Sequence, residues 1–233
     1  MAGNALIVGA GRGNSAAIAR ALRSEGYQVA LAARNIDKLS DQKTQLPALT
    51  LACDATDENQ VAQLFSELDQ QMGPLDLVVF NPSSYTSGSI VDINIEAARQ
   101  ALLLTAFGGF LVAQQAAKRM LDAGKGAIFF TGATASVKGF ANFSPFAMGK
   151  FALRGLAQSL ARELAPKNIH VAHFIVDGSI ASPPRDPGDL NNNSSEDADL
   201  QPDAIAQIYL SVLKQHRSAW THEIDMRPWV ESF

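Results

Sequence analysis

At 233 residues, 47% of them hydrophobic, the chain is long enough to bury a sizeable core as one domain, residues 1–233. Its formal charge of −4 gives no reason to expect a nucleic-acid partner or an anionic membrane surface. A single cysteine, Cys53, excludes an internal disulfide and suits a reducing compartment. The first residues carry no basic segment, and their apolar run is too short for a signal peptide or a membrane span. A soluble, cytoplasmic protein is therefore expected.

Residues 5–8 read as a short apolar strand, followed by a turn dense in glycine (Gly9, Gly11, Gly13) and a small-residue helix from about Ser15. Such a strand–turn–helix gathers backbone N–H groups and the positive end of the helix dipole at one point, which suits a pyrophosphate. The last glycine of a Gly-x-Gly-x-x-Gly pattern is missing, since Asn14 and Ser15 follow Gly13. Residues 27–33 form the second strand, and Arg34 follows directly. Where an NAD site shows a carboxylate for the ribose 2′-hydroxyl, this chain has Ala33 and Arg34. Arg12 adds a second cation, so NADP(H) is expected over NAD(H).

Residues 49–53 make a third strand, ended by Asp54-Ala55-Thr56-Asp57. Thr56 or Asp57 caps a helix whose Val61, Leu64, Phe65 and Leu68 recur at helical spacing. Gly73-Pro74 stops that helix. Residues 75–80 are a buried strand, after which Asn81-Pro82-Ser83-Ser84-Tyr85 leaves the sheet. A long helix over 95–121, a strand over 127–131, a helix over 146–165 and a strand over 169–176 follow. Residues 180–202 turn polar, as expected of a substrate-side loop. A helix over 203–214 and a strand over 220–225 close the chain. Strands alternating with helices in this way predict an α/β fold: a doubly wound parallel sheet (Rossmann fold) of about seven strands, with helices on both faces.

The segments GAGRGNS at Gly9, CDATD at Asp54, VVFN at Asn81, FAMGK at Lys150 and VDGSIAS at Val176 together resemble the short-chain dehydrogenase/reductase superfamily. The resemblance implies hydride transfer between a nicotinamide and a carbonyl or alcohol. It also implies a nucleotide site at Gly9, Gly11, Arg12, Gly13, Ser15 and Arg34. Asp54 would accept from the adenine amino group, Asn81 would steady the nucleotide loop, and Lys150 would grip ribose. Gly178, Ile180 and Ser182 would lie near the nicotinamide, although Asp177 stands where the family has proline.

The catalytic pattern of the family is a tyrosine four residues before the lysine, a serine thirteen before that tyrosine, and an asparagine on the long helix. Here Lys150 is present, but the other positions hold Phe146, Ala133 and Thr105. The register of the enoyl reductases, with tyrosine seven residues before lysine, meets Phe143. Loss of a general acid costs ~10²–10⁴ in rate. Thr131, Thr134, Ser144 and Tyr85 are substitute hydroxyls by position. Phe140, Phe143, Phe146 and Met148 would give an apolar wall suited to a flat or hydrophobic small-molecule substrate. His170, His173, His216 and His222 form no metal-binding pattern and receive no role. The expected protein is an NADP(H)-dependent oxidoreductase with altered acid–base residues; the alternative is a non-catalytic NADP(H)-binding sensor or partner. By resemblance, the helices 95–121 and 146–165 would pair into a homodimer or homotetramer.

Overall fold

The computed structural model describes residues 3–39, 47–181 and 197–231. Short apolar runs form β1 (Gly3–Val8), β2 (Tyr27–Ala33), β3 (Leu49–Ala52), β4 (Leu77–Phe80), β5 (Gly126–Thr131), β6 (Ile169–Val176) and β7 (Glu223–Met226). All pair in parallel, in the order β3-β2-β1-β4-β5-β6-β7. Parallel neighbours need crossovers, and the crossover helices bury both faces of the sheet. β6 is accordingly buried at every position.

On one face, α2 (Glu58–Gln71), α4 (Gly108–Ala123) and α5 (Ser144–Leu164) close over Leu6, Val8, Phe80 and Phe130. On the other, α1 (Asn14–Ser24) and α6 (Pro202–Leu213) close over Ile7, Phe129, Phe174 and Tyr209. A fully buried phenylalanine contributes about 1.5–3 kcal/mol, so the pair Phe129 and Phe130, one to each face, anchors both layers at once. The doubly wound sheet expected from the sequence is the one observed.

Asp57 caps α2 by accepting from Asn59 N (2.9 Å) and Gln60 N (3.1 Å). Those bonds hold its carboxyl below the usual range. The long helix departs from expectation. α3 (Ile95–Leu102) passes through one π-helical turn (Leu103–Phe107) before continuing as α4. Directly after this turn, Gly108 and Gly109 touch the core; a Cβ there would stand 2.9 Å from Ala55 O and 2.6 Å from Leu153 Cδ1. The whole Ile95–Ala123 stretch is apolar and long enough to cross a membrane, but its inner face, with Val112, Ala116 and Met120, belongs to the core.

β7 also begins later than expected. Trp220 stacks on His170 at 4.7 Å, and Thr221 exchanges two 2.7 Å hydrogen bonds with Gln215, so these residues belong to the turn before the strand.

Candidate active site

The sheet order reverses between β1 and β4, and the crevice at such a switch point is where doubly wound sheets hold ligands. Gly9 follows β1 with φ +80°, and a Cβ there would stand 2.6 Å from Pro82 N, so glycine is required. Ser15 Oγ donates to Gly9 O (2.9 Å), and Asn81 Nδ2 donates to Ser15 Oγ (2.8 Å). Asn81, at the end of β4, thus fastens the glycine turn of β1 from across the crevice.

Beyond Gly9 the turn opens. A Cβ on Gly11 or Gly13 would meet nothing within 4 Å. The first turn of α1 has neither an acidic residue nor a side-chain cap. Open space facing an uncapped helix start fits a diphosphate. This turn borders a cleft of about 900 Å³ that also reaches Arg12, Arg34, Asn35 and Cys53. Both arginines are exposed along it. Burial pushes the Cys53 thiol up to about 11, which leaves it an inert wall residue. Asp54 is turned into its own loop: one carboxylate oxygen accepts from Thr56 N (2.9 Å) and Thr56 Oγ1 (2.8 Å). Its neighbours Cys53 and Ala55 line the cleft instead.

A second cleft, of about 660 Å³, meets the first at Asn81 and Ser83. Lys150, Ala133, Thr134, Phe146, Gly178 and Ile180 all line it. Ser182 and most of the expected 180–202 loop lie outside the described residues. The ends of that segment meet at the rim, where Ala181 N donates to Leu200 O (2.9 Å) and Leu200 N to Ser179 O (2.8 Å). Phe140 and Phe143 join the aromatic wall. Met148 does not line the cleft and is 54% exposed, because two residues along a helix turns a side chain away from Phe146.

The substitute hydroxyls fare unequally. Thr131 Oγ1 shares a 2.8 Å hydrogen bond with the buried Tyr209 hydroxyl. Thr134 Oγ1 donates to Asp177, whose carboxylate also pairs with Arg227. Ser144 starts α5 and does not line the cleft. Tyr85 does line it, its ring 5.0 Å from that of Phe143 and 5.3 Å from that of Phe146. Thr105 is buried in the π-helical turn, and a Cβ on Gly149 would stand 3.0 Å from its Cβ.

Lys150 is 2% exposed and donates from Nζ to Thr131 O (2.8 Å). Burial brings its ammonium down to about 7. An unfolded lysine titrates near ~10.4, so between pH 7 and about 10.4 the unfolded chain holds a proton that the folded one releases. Stability contributed by this group therefore rises with pH across that window. Lys150→Met is expected to gain relative to wild type at about pH 6, with the gain shrinking toward about pH 9. Urea denaturation at both pH values checks this; a difference independent of pH would contradict it.

One cluster was not legible in the sequence. His173, fully buried in β6, has Nδ1 3.0 Å from Glu223 Oε2. A carboxylate only accepts, so Nδ1 donates. Arg154 clamps the same carboxylate from Nε (2.8 Å) and Nη2 (2.7 Å). Burial, outweighing the pull of Glu223, takes the imidazole down to about 4 and keeps it neutral. The three residues come from α5, β6 and β7, so no local spacing announces them. Among the described residues, no group of three His, Cys, Asp or Glu side chains is placed to hold a metal.

A family model described as short chain dehydrogenase matches residues 3–184. A short-chain dehydrogenase from Rhodopseudomonas palustris is similar at 33% identity and TM-score 0.81, over 97% of this chain and 99% of that one. An uncharacterized oxidoreductase of Staphylococcus aureus is 29% identical over 233 residues, 96% of each chain. An alcohol dehydrogenase from Thermococcus sibiricus, complexed with 5-hydroxy-NADP, shares the fold at TM-score 0.85 and 22% identity, over 99% of this chain and 98% of that one.

Proposed function

The chain belongs to the short-chain dehydrogenase family, and from that premise we propose that it is an NADP(H)-dependent oxidoreductase with altered acid–base residues. Its reaction would be hydride transfer to or from a carbonyl, an alcohol or an activated double bond. The observation that carries this reading is the junction of the two clefts at Asn81 and Ser83. A dinucleotide can lie along them with its adenosine end by Arg12 and Arg34 and its other end by Lys150. When bound, the nicotinamide supplies or accepts the hydride. The chain's own part is to hold the diphosphate over Gly11 and Gly13, the 2′-phosphate between Arg12 and Arg34, and ribose hydroxyls at Lys150. The Thermococcus sibiricus protein, complexed with 5-hydroxy-NADP, agrees with this cofactor class.

The wall of Phe140, Phe143 and Phe146 suits an apolar or flat small-molecule substrate. Exposed Phe107, Phe110 and Phe151 on the outer helices suit a homodimer or homotetramer. A cytoplasmic location is part of the same reading.

NADPH at 100 times its dissociation constant should add about 2.7 kcal/mol of stability, or roughly 5–10 °C in Tm for a chain of this size. Arg12→Ala and Arg34→Ala should each weaken NADPH about tenfold, the value of one charge-assisted contact, and leave NADH unchanged. Thermal shift with both nucleotides checks this, and no response to NADPH would sink the reading. The non-catalytic alternative is favoured by Ala133 and Phe146, two cleft-lining positions without a hydroxyl. NADPH oxidation by the wild type with any carbonyl, quinone or enone would remove it.

A further inference from the structure

We propose that Tyr85, carried in by the loop after β4, hydrogen-bonds the reacting oxygen of the substrate and hands it its proton. This rests on the oxidoreductase reading. The chain has three tyrosines. Tyr27 opens β2 and faces Asp76 and Lys125 at the far end of the sheet. Tyr209 is buried under β5 with its hydroxyl on Thr131. Tyr85 is the one phenol that lines the cleft among the described residues.

Its placement is built from both sides. The ring meets Phe146 edge-on at 61° and Phe143 at 52°. Gly88 N donates to Asn142 O (2.7 Å), tying the Tyr85 loop to the turn before α5. The hydroxyls of Ser84 and Thr86, on either side of it, bond each other at 2.9 Å. The phenol therefore leans on the ring that fills position 146 and opens into the same cleft as Lys150.

The competing donors are engaged or weak. The Thr134 proton is given to Asp177, Thr131 is paired with Tyr209, and Lys150, 2% exposed, donates to the Thr131 carbonyl and has its other protons assigned to ribose. Ser83 and Ser179 offer aliphatic hydroxyls, far poorer acids than a phenol. In the reducing direction, hydride from the reduced nicotinamide bonds to the carbonyl carbon, and the carbon–oxygen π pair moves onto oxygen. That oxygen takes the phenol proton, so an alcohol O–H forms as the Tyr85 O–H breaks. Water returns a proton to the phenolate, which 73% exposure of the residue allows.

The test uses 9,10-phenanthrenequinone, a flat apolar dicarbonyl, on the whole protein. Calorimetric titration without nucleotide should show Tyr85→Phe binding it about 5–10-fold more weakly than wild type, the value of one hydrogen bond, with NADPH affinity unchanged. In turnover with NADPH, Tyr85→Phe should lose ~10²–10⁴ in kcat, and adding Phe146→Tyr should recover at least about tenfold of it. Equal quinone affinity in the two proteins, or no quinone binding by wild type, overturns the proposal. So does a Tyr85→Phe kcat within about threefold of wild type, an outcome that leaves the oxidoreductase reading standing. Weaker quinone binding by Tyr85→Phe with no wild-type turnover overturns that reading and the proton transfer, and supports only the hydrogen bond.

Discussion

Gly11→Leu is expected to fold as stably as wild type and to bind NADPH more than about 100-fold less tightly. The start of a side chain is tolerated there, because a Cβ at Gly11 meets no atom within 4 Å and the residue has no positive φ that would demand glycine. The space it fills is the space assigned to the diphosphate at the start of α1, where backbone and ligand must approach closely. A 100-fold loss is about 2.7 kcal/mol, enough to remove the nucleotide-dependent rise in Tm at moderate ligand concentration. Gly9→Ala is the contrasting variant. There φ +80° and the Pro82 nitrogen penalise the fold itself, so its Tm should fall without any ligand. A Gly11→Leu protein that NADPH stabilises as well as it does wild type would place the diphosphate elsewhere.

The second large effect is structural. Gly132→Ala is expected to cost about 3 kcal/mol, or roughly 6–12 °C in Tm. Its methyl would stand 2.4 Å from His173 Nε2 and 2.9 Å from the Phe174 carbonyl oxygen. The carbonyl is fixed in β6, so the imidazole has to yield, and yielding breaks its hydrogen bond to Glu223 and disturbs the Arg154 clamp. Overpacking alone costs about 1–3 kcal/mol, and a hydrogen bond to a charged group about 1.5–3 kcal/mol. Gly139→Ala, with nothing within 4 Å of its Cβ, is the control and should stay near wild type. A Tm drop under about 2 °C for Gly132→Ala would show that His173 is not held as described.

These two glycines mark what the sequence does and does not disclose. Gly11 sits in a local pattern, strand then turn then helix, whose meaning depends on neighbours within twenty residues. The strands were legible for the same reason: β2 and β6 coincide with their apolar runs because a parallel strand buried on both faces shows mainly apolar side chains, His170 and His173 being the polar exceptions in β6. Gly132 looks like any loop glycine. Its constraint comes from an imidazole on β6 held by a carboxylate on β7 and a guanidinium on α5, and no spacing rule connects residues 154, 173 and 223. Asp177 is similar. Its departure from proline is visible, but its hold on Thr134 and Arg227 depends on where β6 ends beside β5 and β7. Local geometry was therefore readable where one segment makes it and opaque where distant segments converge.

The π-helical turn at Leu103–Phe107 has a consequence for how long this chain can be. A turn closed five residues apart instead of four holds one more residue than ordinary winding needs. Ile95–Leu102 and Gly108–Ala123 could keep their directions and inward faces after a deletion of a single residue there. What would change is the place of Thr105 beside Gly149. Inside this helix, then, a lineage can lose one codon while the sheet beneath keeps its register.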